Sequence, residues 1–148
     1  MHPSTLFTIG FTQTSAQNFF QRLQQAGVKR VFDIRLHNSS QLAGFAKSED
    51  LAFFLKSIGS MGYTHHPLLA PTDDILKAYK KEKGDWNTFQ DRFLGLMRER
   101  KVEEKYQPEM FDSTCLLCSE ATPHHCHRRL LSEYLNSKWG RPIAVKHL

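Results

Sequence analysis

Apolar positions along the chain fall into short β-prone runs separated by stretches of helical spacing. Thr5 to Phe11 reads Thr-Leu-Phe-Thr-Ile-Gly-Phe, a strand that Gly10 brings to an end. Thr14, with Gln17 three residues on, forms a capping-box pattern. Phe19, Phe20, Leu23 and Ala26 follow at helical spacing, and Gly27 stops the helix. Lys29 to Ile34 carries Val31, Phe32 and Ile34 and predicts a second strand. Strand, helix and strand in so short a stretch predict two parallel strands joined by a right-handed crossover.

A polar, irregular loop then runs from Arg35 to Lys47. Ser48 offers the cap of a second helix that turns Leu51, Phe54, Leu55 and Ile58 to the core and ends near Gly59 or Gly62. Tyr63 to His66 reads as a third strand, stopped by Pro67. From Thr72 to Tyr106 the pattern is helical and highly charged, clearest from Asp85 to Arg100, where Trp86, Phe89, Phe93, Leu96 and Met97 share one side. Thr114 to Cys118 predicts a fourth strand. A last helix carries Leu130, Leu131, Tyr134 and Leu135 inward, and Pro142 to Lys146 predicts a final strand. The expected fold is one α/β domain over residues 1–148. Its three layers are a mostly parallel central sheet of about four to five strands with helices on both faces.

Sheets of this kind bind ligands outside the carboxyl ends of their strands. That rule selects Gly10 to Thr12, Asp33 to Ser40, Tyr63 to Leu68, and Cys118 to Arg128, which are also the polar segments with unusual residues.

Composition narrows the classes. No window reaches the ~18 apolar residues of a membrane span. Met1 to Phe11 has neither the basic nor the apolar part of a signal peptide. Three cysteines, an odd number, suit a reducing compartment, so a cytoplasmic location is expected. A net charge of +5 favours phosphate-bearing partners, a nucleotide or nucleic acid, and the lack of an apolar span leads to the expectation of no membrane partner. The chain has no Gly-x-Gly-x-x-Gly and no Walker loop, so dinucleotide and P-loop chemistry lack support.

Two segments carry the candidate chemistry. Alternation along the strand puts Asp33 and Arg35 on one face. Arg35 can fork onto phosphate or carboxylate, with Asp33 as base or orienter, or the two can form a structural ion pair. Cys118-Ser119-Glu120 ends the fourth strand and Cys126-His127-Arg128 opens the last helix. A helix N-terminus favours thiolate and binds anions, which makes Cys126 a candidate nucleophile beside the titrating His127 and the fixed cation Arg128. The competing reading packs Cys126 as a small hydrophobe.

Cys115-x-x-Cys118, seven residues and Cys126-His127, with His124 and His125 adjacent, offer zinc-type ligands. Cys115 and Cys118 sit three apart on a strand and point to opposite faces, which argues against both a zinc knuckle and a redox Cys-x-x-Cys. Neither a metal nor another cofactor is therefore expected. His65 and His66 must likewise point to opposite faces of the sheet.

Taken in order, these segments resemble a bacterial and archaeal family, the domain of unknown function 488. The matching pieces are Thr8-Ile9-Gly10, Asp33-Ile34-Arg35 followed by Ser39 or Ser40, Gly44-Phe45, Lys47, and Tyr63. Leu116-Leu117-Cys118-Ser119-Glu120 with Cys126-His127-Arg128 is the most specific of them. The chain departs from the family pattern at Phe11-Thr12, Asn38, Gln41 and Leu68-Leu69-Ala70. The resemblance implies that Asp33, Arg35, Cys118, Glu120, Cys126, His127 and Arg128 form a common site, and it supplies no reaction.

The resulting expectation is an enzyme acting on a phosphate-bearing substrate. Cys126, Glu120, Asp33 and His127 form its catalytic set. Arg35, Arg128, Gly10, Thr12, Ser39, Ser40, Lys47, Tyr63 and Cys118 line the substrate. The alternatives are a non-catalytic nucleic-acid-binding module using Lys77, Lys80, Lys81 and Lys83, and a zinc or redox protein.

Overall fold

The computed structural model describes residues 5–11, 14–37, 47–118, 126–140 and 143–148. Five strands, β1 (Thr5–Gly10), β2 (Arg30–Asp33), β3 (Gly62–His65), β4 (Thr114–Cys118) and β5 (Ala144–His147), form one sheet in the order β3-β2-β4-β1-β5. Every pairing is parallel. The helices are α1 (Ala16–Ala26), α2 (Ser48–Gly59), α3 (Asp73–Lys80), α4 (Trp86–Arg100), the single turn α5 (Val102–Lys105) and α6 (His127–Lys138). This is the three-layer α/β architecture expected from the hydrophobic pattern.

The central strands are buried on both faces, and alternation divides their side chains between two cores. Phe7, Ile9, Val31, Cys115 and Leu117 pack under α1 and α2 with Phe19, Leu23, Leu51 and Leu55. Leu6, Phe32, Ile34 and Leu116 pack on the opposite face with Phe89, Phe93 and Met97 of α4 and Leu130, Leu131 and Leu135 of α6. A strand buried on both faces needs an unbroken apolar run, which is what Cys115-Leu116-Leu117 supplies.

Several helix ends differ from the sequence expectation. The cap of α1 is Ser15, whose Oγ accepts from the Asn18 N–H, so the Thr14–Gln17 capping box does not form. Ser48 is the first residue of α2, and Lys47 takes the cap position with no side-chain bond. The left-handed residue ending α2 is Ser60 (φ 54°) rather than a glycine. Ile58 is 44% exposed because α2 is half-buried and turns only Leu51 and Leu55 fully inward. Gly27 does adopt the left-handed geometry (φ 77°) that ends α1, where a side chain would be strained. Among the described residues no helix is long and apolar enough to cross a membrane.

The topology matters for function. From β1 and β2 the chain moves toward β3 under α1 and α2, whereas from β4 it crosses to β5 by α6 on the other face. Connections therefore diverge between β2 and β4, and an open parallel sheet has its ligand crevice at such a divergence.

Candidate functional site at the carboxyl edge of the sheet

Asp33 closes β2 and Arg35 follows it on the α1–α2 side. The buried guanidinium grips the carboxylate with Nε to Oδ1 at 2.8 Å and Nη2 to Oδ2 at 2.7 Å, and the Arg35 backbone N–H donates to Oδ1. β3 is registered with Asp33 opposite His65 and Val31 opposite Tyr63. Tyr63 and His65 consequently face the same side. The Tyr63 hydroxyl donates to Asp33 Oδ2, and His65 Nε2 donates to the Arg35 carbonyl. Nη1 of Arg35 is buried and has no hydrogen-bond partner among the described residues.

The guanidinium lies 5.2 Å from the centroid of the Phe11 ring. Phe11 follows β1, and β4 lies between β1 and β2, so guanidinium and ring meet over the end of β4. There Cys118 is registered opposite Gly10.

Cys118 points to the α6 side. Its Sγ lies 3.4 Å from Nδ1 of His127, the first residue of α6. His127 Nε2 donates to the Ile34 carbonyl at 2.7 Å, which leaves Nδ1 as the lone-pair nitrogen of the neutral ring. The ring also packs against Phe93, centroids 5.4 Å apart. Ile34 thus links the two groups, with the Asp33–Arg35 clamp on one side of its backbone and the imidazole on the other. Burial is the strongest influence on His127 and opposes the imidazolium. The charge and hydrogen bond of Cys118 and the Ile34 carbonyl together outweigh it, so its pKa lies above the ordinary value.

Cys126 caps α6 and is buried beside the same pair. The Sγ atoms of Cys118 and Cys126 and a ring nitrogen of His127 all lie within 4.8 Å of one another. Burial, then the neighbouring Cys118, push the Cys126 thiol well above its usual range, against the pull of the Arg128 backbone N–H and guanidinium. The helix terminus is therefore not the dominant influence on this thiol. Cys115 belongs to the opposite core, as strand alternation requires.

The clamp group contains Asp33, Arg35 and Tyr63, and the thiol group contains Cys118, Cys126 and His127. Gly10 ends β1 alongside them, and Arg128 is wholly buried one residue into α6. Lys47 is exposed at the head of α2, and no described hydrogen bond joins it to either group. Thr12, Ser39, Ser40 and Glu120 lie outside the described residues. Sequence reasoning missed Phe11 and the carbonyls of Ile34 and Arg35, and it left His65 unassigned. Parity with Tyr63 was the signal that could have placed His65. In the lysine run, Lys77 pairs with Asp73 and Lys80 sits over the Tyr79 ring.

The fold and site define an all-parallel α/β protein with a buried arginine clamp and a thiol–imidazole cluster at its switch point. The profile described as "Domain of unknown function DUF488" matches residues 15–135, and the chain belongs to that family. No curated protein and no solved structure shows a significant match to it.

Proposed function

We propose that the chain is a cytoplasmic enzyme acting on a phosphate-bearing substrate, a nucleotide or nucleic acid, in the crevice between β2 and β4. The observation that carries this reading is Nη1 of Arg35. Two guanidinium nitrogens are committed to Asp33, and the third is a buried charged donor with no partner among the described residues. Leaving such a donor unsatisfied costs about 1–3 kcal/mol or more, and a phosphate oxygen at the strand edge removes that cost. Asp33, Tyr63 and His65 hold the clamp in place.

Cys118 and His127 supply the reacting groups. Of the two site cysteines Cys118 is the nucleophile, because it stands on Nδ1 of His127. Nδ1 takes the thiol proton, and the thiolate attacks the electrophilic centre of the substrate. A bond from sulfur to substrate forms as the bond to the leaving group breaks, and the leaving group departs with the Nδ1 proton. Water, deprotonated at Nδ1, then cleaves the sulfur–substrate bond, and the proton returns to sulfur.

The test pairs ligand binding with thiol reactivity. Arg35→Lys keeps the charge but loses the fork, and together with Arg35→Ala it is titrated with inorganic phosphate, nucleoside monophosphates and a labelled oligonucleotide. Both variants should lose binding while retaining the parent's circular dichroism. Mass spectrometry should show fast alkylation of Cys118 at neutral pH, slowed by bound nucleotide and by His127→Gln. Binding that survives both Arg35 variants but collapses with salt would instead mark a passive nucleic-acid module. Slow alkylation of Cys118 at every pH would remove the nucleophile.

A further inference from the structure

We propose that Cys118, Cys126 and His127 form a binding site for a thiophilic metal ion of the zinc class. The three donors come from two adjoining places in the fold, the last residue of β4 and the first turn of α6. Zinc–sulfur bonds of about 2.3 Å and zinc–nitrogen bonds of about 2.0 Å set the sulfur–nitrogen edge of a tetrahedron near ~3.5 Å. Cys118 Sγ and His127 Nδ1 are 3.4 Å apart, and all three donor atoms lie within 4.8 Å of one another. Their spacing is therefore close to that of a ligand set before any ion enters.

Three further observations support the assignment. A metal-bound histidine characteristically donates its other nitrogen to a carbonyl or carboxylate, and His127 Nε2 does so to Ile34 at 2.7 Å. All three residues are buried, so their donors have little water to lose. Two thiolates and a neutral imidazole make a soft, doubly negative set that cancels a divalent charge. The set leaves out Cys115, which faces the opposite core. The sequence objection to Cys115-x-x-Cys118 therefore does not touch this site.

Binding is an exchange of protons for metal. The ion forms bonds to both sulfurs and to Nδ1, and the two thiol protons leave to solvent, with no change of oxidation state. Three protein ligands leave one tetrahedral position for water or substrate. The ion takes the same sulfur that acts as nucleophile in the proposed reaction, so the metal-bound and thiolate forms are alternative states of one residue. The site itself does not depend on that assignment.

Protein stripped of metal by a chelator is titrated with cobalt(II). The expected result is a sulfur-to-cobalt charge-transfer absorption that saturates at one equivalent, is displaced by zinc(II), and accompanies proton release to a pH indicator. Cys118→Ser and Cys126→Ser should each lose the band, and Cys115→Ser should keep it. If the site variants misfold, zinc protection of Cys118 and Cys126 from alkylation, reversed by chelator, gives the same answer in the parent protein. No band at one equivalent of cobalt in fully reduced protein overturns the site, as does a band untouched by Cys126→Ser. Metal binding together with slow Cys118 alkylation in the stripped protein supports the site and removes only the nucleophile. Fast alkylation without metal binding does the reverse.

Discussion

Arg35 and Asp33 form a two-pronged ion pair with both side chains buried, and its bonds measure 2.8 and 2.7 Å. Breaking such a pair from one side strands a charge away from water. Asp33→Ala should therefore cost about 3–5 kcal/mol of stability, read from urea unfolding. Replacing both charges, as in Asp33→Ala/Arg35→Met, should restore part of that loss, because no charge is then stranded, while the Tyr63 hydroxyl and the Arg35 backbone N–H still lose their acceptor. A double variant no more stable than Asp33→Ala would show that the two charges are not coupled.

Tyr63 bears on the same carboxylate from β3. Its hydroxyl donates to Asp33 Oδ2, a bond to a charged acceptor. Tyr63→Phe should cost about 1.5–3 kcal/mol in the same unfolding assay. The Arg35 guanidinium keeps both of its bonds to Asp33 in this variant, so phosphate binding should weaken less than in Arg35→Lys. Equal losses in the two variants would mean that the hydroxyl itself meets the ligand.

The extent to which the sequence anticipated this site follows the range of the interactions. β4 was legible to the residue, since Thr114 to Cys118 is a β-prone run flanked by polar residues in the sequence. The sharing of one face by Asp33 and Arg35, and the division of His65 from His66, followed from strand alternation alone. The helix caps were not legible, because Thr14 and Ser15 are both good caps and neighbouring contacts decide between them. Nor was the cysteine served by His127. That depends on the Ile34 carbonyl, 93 residues away in sequence, fixing which ring nitrogen stays open. A register between β2 and β4 set by the whole sheet determines it, and no local spacing encodes that register.

His66 supplies a pH prediction. Its ring lies 4.2 Å from the Phe32 ring and is hydrogen-bonded to Thr64 and Tyr106. Burial first, then the adjacent His65, lower its pKa below 6.5, with Asp33 pulling weakly upward. As pH falls through 6.5 the unfolded chain takes up this proton before the folded one does. The contribution is therefore constant above that point and stability declines below it, until the folded pKa is passed. His127 is shifted the other way, so the parent curve mixes the two signs. The clean measurement is the difference between parent and His66→Gln across about pH 5 to 8. The variant should lose less stability on acidification, and parallel curves would count against a depressed His66.

Two helix ends should respond to substitution with opposite signs. Gly27 has φ 77°, and nothing lies within 4 Å of the place a Cβ would take, so Gly27→Ala meets only backbone strain, about 1 kcal/mol. Ser60 holds a comparable left-handed conformation with a side chain already present, φ 54°. Ser60→Gly should relieve strain and raise stability by up to ~1 kcal/mol, less the extra entropy given to the unfolded chain. Urea midpoints that moved in the same direction for both would contradict this account of the caps.

Cys115 provides the internal standard for the reactivity of the other thiols. It is completely buried in the core beneath α1 and α2, and burial holds its thiol far above the usual range despite the pull of Arg128 and Arg22. Thiolate is the reactive form, so Cys115 should alkylate only when the structure opens. Its rate, followed by mass spectrometry in increasing sub-denaturing urea, should rise in step with the unfolded fraction. If the proposed pairing with His127 activates it, Cys118 should react at a rate that urea changes little. If both thiols follow the unfolding curve, the imidazole 3.4 Å from Cys118 does not activate it in the folded protein.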